Sequence, residues 1–364
     1  MQQQVDVMPP SRPARVPAMD TEDLVQTLLA RGRVSMDRQD YGSAADYFGL
    51  AERLAEGSDS LPSLLLNRAV RKLVPRWHFA MLNDVERNQA YHDAIMASVR
   101  PGDLVLDIGT GSGLLALLAA RAGAAQVVTC EVEPLIATVA EQIVRANGFD
   151  TRITVVNKAS TDLRLGVDLP RRADVLVTEI FDCALLGENA LPTLEHAREE
   201  LLVAEPRIVP GRGRLWGQLV SSDRLRSHNH VSTACGFDVS GFNNLRSMEY
   251  FSTYLHNYPH LALTEPFPLL DVDFGADCPP NRELVKALPT VDGDCDAIAI
   301  WFELDLGAGV TLSNSPLHPD THWRQAVQTF AAPLRCEAGI PVPLHVFHDR
   351  ERVCVGTDRE VRTP

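Results

Sequence analysis

The chain has 364 residues, a formal net charge of −14 at pH 7 and 45% hydrophobic residues. This length allows two or three domains with sizeable cores, and no run approaches the roughly 18 to 20 apolar residues of a membrane helix. The acidic balance disfavours nucleic acid and anionic membranes as partners, and it suits a cationic substrate.

Two features of the sequence bear on the compartment of the protein. Residues 1–6 lack the basic and apolar regions of a secretion signal. The seven cysteines are scattered without Cys-x-x-Cys pairs, which is typical of a reducing cytoplasm and argues against structural zinc. The histidines at positions 228, 230, 256 and 318 show no metal-ligand spacing. We therefore expect a cytoplasmic protein that holds no metal ion.

The first 75 residues predict a tail and a small helical region. Residues 1–20 contain four prolines and little apolar periodicity, which indicates a disordered tail. Helical periodicity follows over residues 21–75, with a third helix predicted from Ser63 to Val74. The small and aromatic residues here resemble one tetratricopeptide repeat, although an ordinary helical hairpin explains them equally well. A lone repeat cannot bury both faces, so we expect this region to pack on the main body or on a partner.

The remainder of the chain predicts a parallel sheet and then a β-rich domain. A helix that ends at Val99 is predicted before the first strand of the sheet. Strands that alternate with helices indicate an α/β domain over residues 76–213, with a parallel sheet covered on both faces. Its strands are predicted over residues 104–107, 127–131, 153–156 and 175–178. The β-rich domain covers residues 214–364, with strands predicted over 215–220, 297–304, 309–312, 344–348 and 352–355.

A glycine-rich turn follows the first strand of the α/β domain. Residues 105–113 read VLDIGTGSG, in which an apolar run ends at Asp107 and glycines stand at 109, 111 and 113. Glycines let the backbone approach a ligand, and free N–H groups at a helix N-terminus favour a negative or electron-rich ligand atom. Glu131 ends the next strand, where a carboxylate can accept two ribose hydroxyls. NAD enzymes share this acid, but their Gly-x-Gly-x-x-Gly spacing differs from the one here.

The spacing Asp-x-Gly-x-Gly-x-Gly resembles motif I of class I methyltransferases, which bind S-adenosylmethionine. A second motif, TEIFDCALLGE over residues 178–188, places Glu179 and Glu188 nine residues apart. This segment leaves the carboxyl end of a predicted strand, where an open α/β sheet binds its ligands. It resembles the double-E loop of protein arginine methyltransferases, and we use that name for residues 179–188.

Three further segments resemble the same family, in the order of its motifs. THWRQ over residues 321–325 resembles its THW loop, residues 235–245 resemble its dimerisation-arm region, and residues 81–87 resemble its pre-core helix. On this basis the chain is identified as a member of the protein arginine methyltransferase family. The resemblance implies a class I methyltransferase (Rossmann-like) sheet, a β-barrel-like domain with a dimerisation arm at residues 221–265, and a homodimer.

The resemblance also implies roles for individual residues, with S-adenosyl-L-methionine as the cofactor and S-adenosyl-L-homocysteine as its product. On the substrate side, it implies that Glu179 and Glu188 clamp the guanidinium. His322 and Asp84 would form a catalytic hydrogen-bonded pair, and Phe181 and Trp323 would form walls of the pocket. The cofactor would contact Met81 at its sulfonium, Arg87 at its carboxylate, the turn residues Asp107, Gly109 and Gly111, Glu131 at its ribose, and Ala159 and Ser160 at its adenine.

The paired carboxylates explain how a weak nucleophile reacts. A guanidinium is cationic, and its lone pairs are delocalised over three nitrogens. Two carboxylates on one side draw the positive charge onto the nitrogens that they contact, so the remaining terminal nitrogen keeps more lone-pair density and points at the methyl group. Attack on a sulfonium methyl is in line, so orientation and electrostatics supply most of the rate.

Two signals for the product conflict. Phe181 and Asp182 replace the Met and Gly of family members that make asymmetric dimethylarginine, and Glu-x-Phe-Asp resembles the subclass that stops at monomethylarginine. Residues 77–79 (WHF) and the N-terminal helices instead resemble the branch that makes symmetric dimethylarginine. We favour monomethylation, because a bulky Phe181 in the pocket leaves less room for a methylated nitrogen.

Three functional hypotheses stay open. Only 3 of the 34 basic residues are lysine, which with abundant Ala and Val indicates a GC-rich bacterial genome. Bacterial members of the family include an enzyme of nitrosourea (streptozotocin) antibiotic biosynthesis that methylates free L-arginine. This chain resembles that enzyme, so free L-arginine is the favoured substrate. The alternatives are methylation of Arg-rich protein segments, and an inactive core that recruits a partner through the N-terminal helices. The glycine spacing and the glutamate pair disfavour an NAD-dependent oxidoreductase.

Overall fold

The computed structural model describes residues 20–55, 61–318 and 321–357. The chain divides between Arg76 and Trp77 into two compact units. The tail predicted at residues 1–20 lies, except for Asp20, outside the described residues.

The first unit contains three helices, which are α1 Thr21–Asp37, α2 Tyr41–Ala55 and α3 Leu61–Leu73. Apolar residues spaced by three or four, such as Val25 and Leu29, form the buried face of α1. Phe48 of α2 fills the centre of this small core, where a Cβ on Gly32 would lie only 2.3 Å from its ring. Gly32 therefore allows α1 and α2 to approach closely.

The first half of the second unit is built around a five-stranded parallel sheet in the order β3-β2-β1-β4-β5. Its strands are β1 Leu104–Ile108, β2 Gln126–Cys130, β3 Ile153–Val156, β4 Ala173–Thr178 and β5 Leu202–Val209. The first four begin and end within two residues of the predicted strands. The fifth was not predicted, because Glu205, Pro206 and Arg207 interrupt its apolar run.

Helices cover this sheet and lead into the second half of the unit. They are α4 Trp77–Leu82, α5 Val85–Ser98, α6 Leu114–Ala122, α7 Pro134–Ala146, α8 Ala190–His196 and α9 Asp223–Arg226. Both faces of β1 are buried, as expected for the central strand of a parallel sheet covered on two sides. The predicted Rossmann-like sheet is thus confirmed.

Antiparallel strands form the remainder of the second unit. They are β6 Arg212–Ser221, β7 Thr233–Ala234, β8 Phe237–Asp238, β9 Phe251–Thr253, β10 Leu261–Ala262, β11 Phe267–Asp273, β12 Arg282–Ala287, β13 Gly293–Gly307, β14 Val310–Ser313, β15 Gln325–Cys336, β16 Val342–His348 and β17 Val353–Gly356. A seven-stranded sheet follows the path β10-β6-β13-β15-β9, with β11 on β6 and β14 on β13. The strands β12-β16-β17 form a second sheet, and β7-β8 form a hairpin.

One apolar core continues across the parallel and antiparallel sheets. It joins residues such as Leu176 of β4, Leu185 of the double-E loop and Phe302 of β13. Two hydrogen bonds fix the loop against the antiparallel sheet: Asn314 Nδ2 donates to the Cys183 carbonyl at 3.1 Å, and Trp323 Nε1 donates to the Phe181 carbonyl at 3.4 Å. The double-E loop therefore lies where the two sheets meet.

Among residues 20–55, 61–318 and 321–357, no helix is both long enough and apolar enough to span a bilayer. No group of three or more His, Cys, Asp or Glu side chains in the same ranges is arranged to hold a metal ion.

Candidate active site

The glycine turn connects β1 to α6 at the carboxyl edge of the parallel sheet. Gly109, Gly111 and Gly113 have φ of 86°, 51° and 81°, a region that side chains strongly disfavour. The N–H groups of Gly109 and Thr110 donate to the Cys130 carbonyl at 3.1 and 3.0 Å, which closes the turn against β2. A Cβ on Gly109 would lie 2.8 Å from Ile180 of the double-E loop. The turn and that loop are therefore in close contact.

Glu131 lies directly beside this turn. Its Oε2 accepts a hydrogen bond from the Gly111 N–H at 3.1 Å, and its Oε1 accepts one from the Glu133 N–H at 3.0 Å. Two backbone donors thus fix the carboxylate, while lone pairs on both oxygens remain for hydroxyl donors of a ligand. This geometry fits the ribose-binding role implied by the sequence.

Asp107 is fully buried at the end of β1. Its Oδ2 accepts a hydrogen bond from the Thr129 hydroxyl at 2.7 Å, and burial raises the pKa of Asp107 to about 7. Within the described residues, Asp107 Oδ1 and Arg87 Nε are buried atoms without a hydrogen-bond partner. Buried polar groups normally have partners, so two unpaired atoms indicate a polar ligand. A bound S-adenosylmethionine fits this acceptor and donor set.

The other predicted cofactor contacts lie nearby in the fold. Met81 is buried in α4. Ala159 and Ser160 follow β3, and Ser160 is buried. Because parallel strands end at a shared edge, these two residues lie at the same edge of the sheet as Asp107 and Glu131. Their roles at the sulfonium and the adenine stay predictions.

Arg87 forms a buried ion pair with Glu179, the first acid of the double-E loop. Arg87 Nη2 donates to Glu179 Oε2, and the two side chains are only 3% and 7% exposed. A buried charge requires such a partner. The guanidinium of Arg87 fixes the orientation of Glu179, and its predicted contact with the cofactor carboxylate stays a prediction. Glu179 Oε1 has no partner in the described chain.

Asp182 shapes the loop between the two glutamates. Its Oδ1 accepts hydrogen bonds from the N–H groups of Ala184 and Gly187, both at 3.0 Å, and its Oδ2 accepts one from the Tyr250 hydroxyl at 2.5 Å. A Cβ on Gly187 would lie 2.3 Å from Asp182 Cγ. The chain therefore turns back tightly at Gly187 and delivers Glu188 to the site.

Glu188 is the unpaired acid of the loop. It has a φ of 62° and is exposed, and among the residues that the structure describes it has no hydrogen-bond or ion-pair partner. Desolvation by the surrounding protein, followed by the negative charges of Glu179, Asp182 and Glu131, raises the pKa of Glu188 to about 7. This negative potential favours a cationic ligand.

Asp84 connects α5 to the THW loop. Its Oδ1 accepts from the Arg87 N–H at 2.9 Å and so caps α5, while its Oδ2 accepts from the His322 N–H at 2.9 Å and from His322 Nδ1 at 2.8 Å. Burial alone would raise the pKa of Asp84, but the hydrogen bonds from His322 and Arg87 lower it to about 2. The carboxylate is thus charged and acts only as an acceptor.

The two predicted wall residues are mainly buried. The Trp323 ring meets the Phe302 ring edge-on with centroids 5.1 Å apart, and the Phe181 ring stacks on Phe274 with centroids 5.3 Å apart. Trp323 and Phe181 are 6% and 3% exposed. Both side chains pack in the core, and their contact with substrate stays a prediction.

Sequence reasoning missed three residues that organise the site. Tyr91 places its ring 4.9 Å from the Arg87 guanidinium and donates its hydroxyl to the Thr178 carbonyl at 3.1 Å. It follows Arg87 by four residues on α5, a spacing that could have revealed it. Tyr250 and Asn314 act through long-range contacts and had no local signal.

Comparisons with known proteins agree with this geometry. Residues 90–189 match the family model "Ribosomal protein L11 methyltransferase (PrmA)", and residues 222–358 match "Arginine methyltransferase oligomerization subdomain". An "Arginine N(omega)-methyltransferase" of Streptomyces achromogenes subsp. streptozoticus is 45% identical over 79% of this chain and 80% of its own length. The chain belongs to the arginine methyltransferase family.

Two further relatives share less sequence identity with this chain. Human "Protein arginine N-methyltransferase 9" is 32% identical over 78% of this chain, but the match spans only 38% of its own length. A Trypanosoma brucei structure titled as a PRMT1 enzyme-prozyme heterotetrameric complex with AdoHcy superposes with a TM-score of 0.67 at 25% identity, over 74% of this chain and 86% of that one. The protein is therefore an S-adenosylmethionine-dependent arginine N-methyltransferase.

Proposed function

We propose that this arginine methyltransferase converts free L-arginine into Nω-methyl-L-arginine in natural-product biosynthesis. The observation that carries this proposal is the similarity to the Streptomyces enzyme, which extends over 80% of that protein and whose name gives arginine itself. Human protein arginine N-methyltransferase 9 and the protein arginine N-methyltransferase 7 of Cricetulus longicaudatus match over only 38% and 44% of their own length.

The two glutamates would divide the work on the substrate. Glu179, oriented by Arg87, presents Oε1 to one side of the guanidinium, and Glu188 binds the other side as a free carboxylate. Together they hold the cation and leave one terminal nitrogen free to attack. The cofactor supplies an electrophilic methyl group when bound. Glu188, with a pKa of about 7, is suited to accept the proton that the nitrogen loses.

His322 and Asp84 would keep the substrate side of the pocket in place. Because Asp84 caps α5 and bonds His322, this pair ties the helix that carries Arg87 to the THW loop. We assign the pair a positioning role in catalysis. We also propose that the reaction stops at monomethylarginine.

Labelled cofactor tests the substrate directly. The enzyme is incubated with methyl-labelled S-adenosylmethionine and either L-arginine or an Arg-Gly-rich peptide, and the labelled products are separated. We expect label in monomethylated L-arginine. Label found only in the peptide would instead support the second candidate, a protein arginine methyltransferase, which the similarity to human protein arginine N-methyltransferase 9 favours.

We also propose a homodimer formed through the dimerisation arm. The arm exposes apolar side chains at Phe237, Phe242 and Leu245, which are 73%, 68% and 75% exposed. A groove of about 550 Å³ lies on α5, α6 and α7 and is lined in part by Val85, Leu114 and Leu117. A groove of this kind on a second copy fits the arm and would give an isologous dimer.

Sedimentation tests the dimer. The wild type should sediment as a dimer at micromolar concentration, and Leu245→Ser should shift it toward the monomer. Ile340→Ser, which replaces an exposed apolar residue outside the arm, serves as the matched control. A monomeric wild type would contradict this proposal.

The reducing cytoplasm remains our proposed location. All seven cysteines are free thiols, and four of them are buried: Cys130, Cys183, Cys295 and Cys336. Free thiols persist where glutathione and thioredoxin keep them reduced. Fractionation of the producing cells would check this location.

A further inference from the structure

Arg352 lies beside the double-E loop, in the turn between β16 and β17. Its Nη1 donates to the Tyr250 hydroxyl at 3.0 Å and lies 3.6 Å from Asp182 Oδ2. The guanidinium also lies over the Tyr250 ring, 5.3 Å from the centroid. Asp182 and Tyr250 thus fix a cation next to the loop that carries both glutamates.

The guanidinium of Arg352 retains free donors. A guanidinium carries five N–H groups in a planar fork that matches a carboxylate. Only Nη1 has a partner in the described part of the chain, and the side chain is 49% exposed. Nε and Nη2 can therefore form a two-point contact with an anion from solution.

Asp182 connects Arg352 to the backbone segment that carries Glu188. Asp182 Oδ2 faces Arg352, while Asp182 Oδ1 accepts from the Gly187 N–H, and Gly187 directly precedes Glu188. The guanidinium carbon and the α-carboxyl carbon of an extended arginine are about 7 Å apart, given ordinary bond lengths. A contact at both ends requires that an arginine of this length, with its guanidinium at Glu188, places its α-carboxylate at Arg352.

The charged side chains around the loop are arranged to complement the two charged ends of free arginine. On the Glu188 side, Glu179, Asp182 and Glu131 produce a negative potential. On the outer side, Arg352 and Arg324 supply positive charge near Cys183, and Asp182 and Glu249 offset part of the charge of Arg352. A free amino acid matches this arrangement, because its cationic side chain and its α-carboxylate lie at opposite ends. An arginine inside a peptide lacks that carboxylate.

We propose that Arg352 binds the α-carboxylate of the substrate and thereby selects free arginine over internal arginines of a protein. This inference rests on the proposed function and adds to it a residue that determines specificity. Arg352 contacts the end of the substrate far from the methylated nitrogen, so its loss should weaken substrate use without changing the chemistry at Glu188.

The test combines a change in the enzyme with a change in the substrate. The wild type, Arg352→Gln and the control Arg350→Gln are assayed with L-arginine and with agmatine, which lacks the α-carboxylate. Arg350 lies in the same turn but pairs with Glu195. A contact between charged groups of this kind corresponds to about a ten- to hundredfold effect.

We expect Arg352→Gln to lower kcat/KM for L-arginine by that factor, mainly through KM, and to leave kcat/KM for agmatine within twofold. Arg350→Gln should change the ratio between the two substrates by less than twofold. An equal decrease in kcat/KM for both substrates would show that Arg352 only supports the loop. An unchanged kcat/KM for both would show that Arg352 does not contribute to substrate binding. Both results overturn the proposal, as does a wild type that uses the two substrates equally.

Two peptide arms separate this inference from the proposed function. One peptide ends in arginine with a free carboxylate, and the other ends in arginine amide. If the wild type rejects L-arginine but prefers the free-acid peptide in an Arg352-dependent way, the carboxylate contact holds and the free-arginine proposal fails. If only peptides with internal arginine react, both proposals fail.

Discussion

The two glutamates of the double-E loop belong to one short segment, yet their surroundings are opposite. Glu179 is 7% exposed and neutralised by Arg87, whereas Glu188 is exposed, has a positive φ and lacks a partner in the described chain. One acid is fixed before substrate arrives, and the other keeps its binding capacity for the substrate. Two residues of the same type thus have different roles: Glu179 is the orienting group, which holds the substrate from a fixed position, and Glu188 is the receiving group, which is free to bind it.

Loss of the receiving group should have the largest effect on activity. We expect Glu188→Gln to lower kcat by about a hundred- to a thousandfold, because one half of the electrostatic clamp disappears. Cofactor affinity by calorimetry should stay within twofold, and Tm should not fall, since no internal ion pair is lost. Near-normal turnover of this variant would end the distinction between the two acids.

Loss of the orienting group should reduce both activity and stability. Glu179→Gln leaves the buried Arg87 without its counter-charge, and breaking a buried pair costs about 3 kcal/mol or more. Thermal unfolding should therefore show a lower Tm than Glu188→Gln does. The double variant Arg87→Met with Glu179→Gln should recover part of that loss but no activity. Equal Tm values for the two single variants would contradict the comparison.

The pH profile should report the receiving group. The pKa of Glu188 is raised to about 7, so below that pH the carboxyl is protonated, neutral and unable to attract a guanidinium. At saturating cofactor, kcat/KM for the substrate should fall about tenfold per pH unit as pH drops below 7, and level off above it. The residual activity of Glu188→Gln should lack this step. A profile that stays flat from pH 5 to 8 would disagree.

The smallest of these effects is expected at Asp84. Asp84→Asn can keep the Oδ1 acceptor that caps α5, but it places an amide NH2, which only donates, where Oδ2 accepts from the His322 N–H and Nδ1. We expect about a tenfold decrease in kcat together with a lower Tm, because two buried donors of His322 lose their acceptor and an unsatisfied buried donor costs about 1–3 kcal/mol. Circular dichroism melting is the control for the helix cap.

Local patterns made much of this site predictable from sequence. The turn after β1 needs glycines at 109, 111 and 113 because of its positive φ, and such spacing is visible in one sequence. The same holds for Glu131 and the two loop acids, which follow apolar strands. The first unit also showed its helices through regular apolar spacing.

Long-range contacts explain the rest. Nothing near Asp182 in the sequence indicates that Tyr250, 68 residues later, binds it. The amide of Asn314 likewise reaches the Cys183 carbonyl across 131 residues. The pairing of Arg87 with Glu179 depends on how α5 packs against the end of β4. These partners follow from tertiary packing, which periodicity and motif spacing do not encode.

The contact between Asp182 and Gly187 has a consequence for the evolution of the loop. Any side chain at position 187 would overlap the Asp182 carboxyl, and that carboxyl in turn requires the N–H of residue 187. Neither position can drift alone. Homologues should therefore change the two together, and a lineage that replaces Asp182 with a smaller residue should be the first in which position 187 accepts alanine.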